Sequence, residues 1–523
     1  MTYNEAALSK YRELIDSGEP FRSRTCRYCA SNAAVKHIDP SKKPKSPWDF
    51  WADIVCAAGP HAEASEKAPM YVVGPMVDQS ELPFRLLCRR YGATLAYSPM
   101  LHARSFAQSA QYRQRYFTTT ATTSQKLSTE AGASGEAQEN DHPLFVQFCG
   151  NDPETVLAAA RLVEDQCEAV DFNIGCPQGI ARRGHYGSFL MEDWELLHNI
   201  LHTLAVELRV PVTAKMRIFD DEALTLKYAE MLRDTGIYVL CVHGRTRENK
   251  GQQQKQADLK MIRRVHSHLN GTVPIIANGN ILTFEDVPRN LAVTGCEGYM
   301  CAEPLLWDPK LFAPLATGKT SKVSSDPTCA NPSPSPLLSS TNRSGRLFAE
   351  SRPNRLKAID TAAEYLELVR RFPVDVGFVK AHLFKMLYHS YEMHPTHQQW
   401  LADFSACGNS GSSSGRRTEE ECDEDAGDNG LLEHRAGEAE QTPVKSDIFV
   451  EALNALSEHV ERLRAAELSL DSDDPQPKRQ RGKTVNGSEG STGAGSECRN
   501  GGGRIDYTDA FAGDETFGID FIP

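Results

Sequence analysis

Eight short runs of apolar residues, many of them β-branched, recur through the middle of this chain, with helical patterns between them. They are MYVVGPM (70–76), ATLAYSPML (93–101), LFVQFCG (144–150), AVDFNIGCP (169–177), VPVTAKMRI (210–218), IYVLCVHGR (237–245), VPIIANGNI (273–281) and GCEGYMCAEP (295–304). PETVLAAARLVED and LTLKYAEMLRDTG are typical of the stretches that separate them. A strand covered on both faces reads as a continuous apolar run, and alternation with helices places such strands parallel in one sheet. Eight units in about 240 residues fit a closed (β/α)8 TIM barrel. An open doubly wound sheet usually has fewer strands.

Barrel active sites gather on the rim at the C-terminal ends of the strands. The predicted strands end there at Met76, Met100, Gln147, Asn173 with Cys176, Lys215 with Arg217, His243, Asn278 with Gly279, and Ala302. Any one of these says little, because a strand end is often solvated. Together, amide, ammonium, imidazole and thiol groups suit a planar heterocycle with many hydrogen-bonding atoms. The stretch VDFNIGCPQGIARRGHYGSFLM (170–191) sharpens the point. It sets a lone cysteine at the end of a strand, ahead of a glycine- and arginine-rich loop fit to move. A thiol placed there is either packing or chemistry.

The rest of the chain divides by composition. Residues 1–67 form an N-terminal extension with helical segments, and 68–317 the barrel. Segment 118–141 is a small, polar insertion, 318–345 a serine- and proline-rich linker, 408–444 an acidic insertion and 468–523 a tail. Such compositions bury too little apolar surface to offset the entropy of ordering, so disorder is expected. Residues 346–467 read as a helical domain around the acidic insertion. Its helical spacing is clearest in 365–404 and 448–467. Arg370, Arg371, Lys380 and Lys385 lie within it, either as a solvated face or as a grip on phosphates.

The formal charge of −13 misleads about partners. From residue 409 onward, 25 acids face 12 bases, and the remainder carries 45 of each. The acidity therefore belongs to the tail, and the body is neutral. Fourteen cysteines without framework spacing fit reduced thiols in the cytoplasm or nucleus. Cys26 and Cys29 form a CxxC with no second pair or histidine pair at ligand spacing, a half-built metal site by sequence, so no metal is expected. No run approaches the ~18–20 apolar residues of a membrane span, and no secretory signal is visible. The basic PKRQRGK (477–483) fits a nuclear localisation signal or an RNA contact.

GPMVDQSELPFRLLCRRYGATLAYSPMLHARSF, DFNIGCPQGIARRGHYGSFLM, KMRIF, VHGRTR and ANGNI resemble the tRNA-dihydrouridine synthases, in order and on the matching strands. The likeness is greatest to the eukaryotic class acting at D-loop positions 16 and 17. It implies FMN, with NADPH as electron donor, and reduction of the C5–C6 double bond of a uridine in tRNA. Cys176 would be the proton donor to C5, and a thiol near its free pKa of ~8.5 is still protonated at neutral pH. By matching position, Gln147, Lys215 and His243 would bond the isoalloxazine edge, with Lys215 favouring the anionic reduced flavin. Pro75 and Met76 would pack on the ring. Backbone amides around Asn278, Gly279, Asn280, Ala302 and Glu303 would cradle the phosphate. Asn173 and Arg217 would face the uracil, and Arg182 and Arg183 would meet the RNA.

The chain departs from that pattern in three places, one of them the 118–141 insertion, which has no counterpart and is expected on a surface strand-to-strand connection. GPM stands where APM is commoner. The eighth strand ends CAEP, without the arginine of the bacterial Gly-Arg-Gly and with Glu303 where an anion should sit. Two rival readings remain. A free-pyrimidine reductase resembling dihydroorotate dehydrogenases would have no use for the helical domain. A catalytically silent RNA-binding relative is disfavoured by Cys176, Lys215 and His243. A monomer is expected.

Overall fold

The computed structural model describes residues 3–30, 43–44, 46–58, 69–120, 139–249, 255–313, 351–405 and 445–470. Most of the expected disordered insertions and tail, and the 477–483 cluster, lie outside the described residues. Nine parallel strands form the sheet: β1 Met70–Val73, β2 Leu95–Tyr97, β3 Leu101–His102, β4 Leu144–Cys149, β5 Ala169–Ile174, β6 Val212–Arg217, β7 Val239–His243, β8 Ile275–Asn278 and β9 Gly298–Cys301. β1 pairs with both β2 and β9, and β2 also pairs with β4, so eight strands close a barrel. All eight predicted strands form. The second run yields two pieces, broken at Ser98–Pro99, and its short β3 extends the pairing along β4.

The barrel interior is filled by Val72, Leu95, Tyr97, Phe145, Val239, Cys241, Ile276 and Met300. Its N-terminal end is plugged by the helix Pro47–Ala57, whose Phe50, Trp51 and Ile54 join the same cluster. That helix starts on Ser46, whose hydroxyl accepts from the Asp49 amide, and it has proline in its first position. Aspartates cap four outer helices in the same way, at Asp152, Asp193, Asp221 and Asp258. These sharp starts fix where each strand-to-helix loop begins, and hence the shape of the rim.

Beyond the barrel, helices Arg352–Arg371, Val376–Met386, Tyr388–Met393 and Pro395–Asp403 pack with Lys445–Ser469. Leu453, Leu456, Val460 and Leu463 are buried in that packing, as the helical spacing predicted. Arg355 pairs with buried Glu467 at 2.8 Å to tie the last helix to the first. This body docks on the barrel through Glu81, which accepts from Tyr365 Oη at 2.7 Å and meets His382 Nε2 at 2.9 Å. Burial would raise the Glu81 carboxyl, but the charge and hydrogen bonds of His382 and the Tyr365 hydroxyl outweigh it and hold it below its ordinary value. No helix among the described residues is long and apolar enough to cross a membrane.

Candidate active site

Strand register puts the rim residues side by side. Gln147 is level with Asp171, Asn173 with Lys215, Arg217 with His243, and His243 with Asn278. Each pair shares a layer of the barrel mouth, so residues 24 to 42 positions apart in sequence become neighbours.

Cys176 follows β5 in a turn held from three sides. Asn173 Oδ1 accepts from the amides of Gly175 and Cys176, at 3.2 and 2.9 Å. Arg217 Nε donates to the Gly175 carbonyl at 2.7 Å, and its Nη1 to the Thr246 carbonyl at 2.8 Å. The Cys176 carbonyl accepts from the Ser188 amide and hydroxyl, at 3.0 and 2.9 Å. Behind Asn173 runs a buried polar chain. Asn173 Nδ2 donates to Gln147 Oε1 at 2.9 Å, Gln147 Nε2 to Asp171 at 2.8 Å, and Thr213 Oγ1 to Asp171 at 2.6 Å. Burial raises the Asp171 carboxyl to about 6 despite those bonds.

The segment after Cys176 is a helix, Gly179–Arg183, and a 3₁₀ helix, Gly187–Glu192. Gly187 has φ +62, and a Cβ there would stand 2.8 Å from the Cys176 carbonyl oxygen, so the close approach calls for glycine. Tyr186, Ala181 and Cys149 form a small buried cluster against Cys176, Met100 and Phe189. The far end of the segment is held by Arg247, which bonds Glu192 at 2.6 Å and lies over the rings of Phe189 and Tyr3, at 4.9 and 4.3 Å. The N-terminal extension therefore reaches the loop of Cys176.

Lys215 is half-buried and has no hydrogen bond or ion pair among the described residues. Burial pulls its ammonium below its ordinary value. Burial, then the positive charges of Arg217, Lys215 and Arg245, push the His243 imidazole well below its own, so it is neutral. Its Nε2 lies 3.0 Å from Arg245 Nη1, which can only donate. The proton therefore sits on Nδ1 of His243.

After β8 the chain turns through Gly279, φ +121, and Asn280, φ +60. A Cβ on Gly279 would lie 2.5 Å from the Ala257 Cβ. Asn278 donates to the Met300 carbonyl at 2.9 Å, and Asn280 binds both backbone groups of Ala257. Ala302 precedes the short helix Glu303–Trp307. Pro75 and Met76 follow β1, half-buried at the rim.

Some predicted residues carry contacts the sequence did not suggest. Gln147 is fully buried and spends both ends of its amide on Asp171 and Asn173. Asn173 and Arg217 are largely engaged in holding the cysteine turn. Arg182 and Arg183 stand exposed on the rim helix. In the helical domain, Arg370 bonds Asn454 and Ser457, Arg371 pairs with Glu139, Lys380 caps the Ala402 and Phe404 carbonyls, and Lys385 lies over Trp307. All four have intramolecular partners.

Sequence reasoning passed over Arg245 and Arg104. Arg245 reaches His243 and Asn280, and its charge is stabilised by Glu303. The quoted VHGRTR contained it, but only the structure shows that it points back along the rim. Arg104 is exposed just beyond β3, with no ion pair among the described residues.

Among protein families, dihydrouridine synthase (Dus) matches residues 71–342, just over half of the chain. A Saccharomyces cerevisiae protein named tRNA-dihydrouridine(16/17) synthase, NAD(P)(+), is 50% identical over 255 residues, which are 49% of this chain and 57% of that one. A Schizosaccharomyces pombe protein of the same name is 39% identical over 324 residues, 61% of this chain and 69% of that one. A Mus musculus protein with that name and the suffix "like" is 39% identical over 332 residues, 64% and 58% of the two chains. The matched part thus spans less than two thirds of the budding-yeast and mouse relatives.

Proposed function

Because this chain belongs to the dihydrouridine synthase family, we propose that it uses FMN and NADPH to reduce the C5–C6 double bond of D-loop uridines in tRNA, at positions 16 and 17. It would do so in the cytoplasm or nucleus. The observation that carries this reading is Cys176, set in a braced turn one strand away from a Lys215 with no partner among the described residues.

The rim fits FMN. The Lys215 ammonium and the Nδ1–H of His243 would meet the flavin edge, with Gln147 beneath and Pro75 and Met76 against the ring. The positive-φ residues Gly279 and Asn280 would offer backbone beside Asn278 to a phosphate, and the amides of Ala302 and Glu303, after the neighbouring β9, would complete the cradle. Arg245 would supply the cation that CAEP lacks, and it offsets Glu303.

When bound and reduced by NADPH, FMN would supply a hydride to C6 of the uracil. The electron pair displaced from the double bond collects at C5, conjugated with the C4 carbonyl. Cys176 donates its thiol proton to that carbon and recovers one from solvent. Asn173 and Arg217, which brace the turn, would hold Cys176 for this transfer. Taking a base out of its stack costs a few kcal/mol, roughly. Exposed Arg104, Arg182 and Arg183 would offset that cost by binding the RNA backbone around the mouth.

The test uses purified chain, NADPH and tRNA that lacks dihydrouridine, with the modified positions mapped. Reduction at D-loop uridines, slowed about 10²–10⁴-fold in Cys176→Ala, is expected. Flavin-bound protein that oxidises NADPH and leaves tRNA unmodified would overturn the substrate.

A further inference from the structure

Far from the rim, the N-terminal segment folds a tight turn against the outside of the barrel. The Cys29 amide donates to the Cys26 carbonyl at 3.1 Å, so the CxxC forms a knuckle. Cys26 is buried and Cys29 is exposed, and both are free thiols. The helix Trp194–Glu207 runs beneath them and carries His202. One ligand atom from each of Cys26, Cys29 and His202 fits within a sphere in which all three are no more than 4.8 Å apart. We propose that Cys26, Cys29 and His202 bind a zinc ion that pins the N-terminal segment to the barrel.

Three features beyond proximity support the assignment. The first is the imidazole. His202 Nδ1 lies 3.1 Å from the Thr235 carbonyl oxygen, which can only accept, so Nδ1 carries the proton. Nε2 is left with its lone pair, and the ring is held in one orientation. Metal-binding histidines are held in this way, by a carbonyl or carboxylate on the other nitrogen. A disulfide between the two cysteines would give that histidine no role.

The second feature is the bracing of the turn on the ligand-bearing helix. Glu195 accepts from the Ser23 hydroxyl at 2.6 Å and from the Arg24 amide at 3.1 Å. Asn199 donates to Thr25 at 2.7 Å, and the Ser23 hydroxyl in turn accepts from the Cys26 amide at 3.0 Å. Glu195, Asn199 and His202 are spaced to share one helix face, so the thiols are delivered to the imidazole by the fold. The third feature is His198, one turn earlier, whose ring lies 5.3 Å from that of His202. His198 is buried, and its Nδ1 has no hydrogen-bond partner among the described residues. A buried unpaired ring nitrogen beside the cluster is the kind of group that a metal or its water satisfies.

The chemistry selects the ion. Two thiolates and an imidazole are a borderline-soft donor set, suited to zinc in tetrahedral geometry with water in the fourth corner. Zinc–sulfur and zinc–nitrogen bonds place such ligands about 3.4–3.8 Å apart, so the cluster closes by roughly 1 Å on binding.

The test is metal analysis of the full chain purified under reducing conditions without chelator. About one zinc per chain is expected, with cobalt substitution giving the thiolate charge-transfer and tetrahedral d–d bands of a two-sulfur site. Cys29→Ser and His202→Gln each change a group outside the core, and each should lower bound zinc to below about a tenth of wild type. Thermal unfolding and far-UV dichroism of both variants confirm that they fold. Wild-type protein without zinc and without cobalt bands overturns the proposal, as does a Cys26–Cys29 disulfide in freshly isolated protein. Zinc retained by both folded variants also overturns it, since the metal would then lie elsewhere.

Discussion

Nε of Arg217 lies 2.7 Å from the carbonyl oxygen of Gly175, tying the end of β6 to the turn that presents Cys176 after β5. A proton donor, the role proposed for Cys176, would have to be held to a fraction of an ångström, and this bond is one of five, from three residues, that brace its turn. The same guanidinium is drawn down to about 10 by burial and by the neighbouring charge of Arg245, and it remains a cation at neutral pH.

Arg217→Lys keeps the charge and loses the fork that bonds two carbonyls at once. Turnover of tRNA should fall about 10–100-fold while flavin content stays at the wild-type level. Single-turnover kinetics with pre-reduced enzyme would check this, and an unchanged rate would mean that the turn holds without Arg217.

Two glycines allow the proposed acid and the proposed flavin site to be tested apart. Gly187→Ala forces a Cβ toward the Cys176 carbonyl at a positive φ, and Gly279→Ala forces one into Ala257. Each should cost roughly 1–3 kcal/mol of stability. Gly187→Ala should slow turnover and leave flavin affinity unchanged, whereas Gly279→Ala should weaken flavin binding. Fluorescence titration of apoprotein with FMN distinguishes the two, and equal effects would merge the sites.

Glu81→Gln leaves His382 buried without a carboxylate. Breaking a buried pair by removing one partner costs about 3–5 kcal/mol. The loss should concentrate at the junction of the barrel and the helical domain, so the helix Val376–Met386 should gain hydrogen exchange before the barrel strands do. Uniform protection across both bodies would argue against a shared joint.

His459 packs flat on Trp400 at 4.3 Å, with Tyr391 Oη 3.1 Å from its Nε2. Burial, then the charges of His397 and Arg462, lower it to about 4. The unfolded chain takes up a proton near pH 6.5 and the native one does not until about 4, so stability falls as pH drops through that window. Asp171 and Asp78, both raised to about 6 chiefly by burial, act oppositely over part of the same range. The comparison is therefore made against His459→Phe, whose denaturation midpoint should fall less between pH 6.5 and 4. Parallel curves would show that His459 protonates freely in the native state.

The eight strands were legible because each is buried on both faces, and their order along the chain is their order around the barrel. The rim residues were legible because a strand's C-terminal end is a fixed address in this architecture. What those residues touch was not. Gln147 and Asn173 read as ligands of flavin and base, yet their amides bond one another, a relation set by the register of β4 and β5. The basic residues of the helical domain show the same limit, since helical spacing gives a face but not the partner across it. Cys26 and Cys29 looked half built because their third ligand lies on another helix, more than 170 residues along.

Tyr3 lies under the guanidinium of Arg247, which also grips Glu192 at the end of the cysteine segment. For anyone trimming this protein to a minimal catalyst, that stack moves the boundary. A chain cut back to Met70 would keep every rim residue, yet Arg247 would lose one of its two rings and the cysteine segment one of its outer supports. The working unit therefore includes the third residue, well before the barrel.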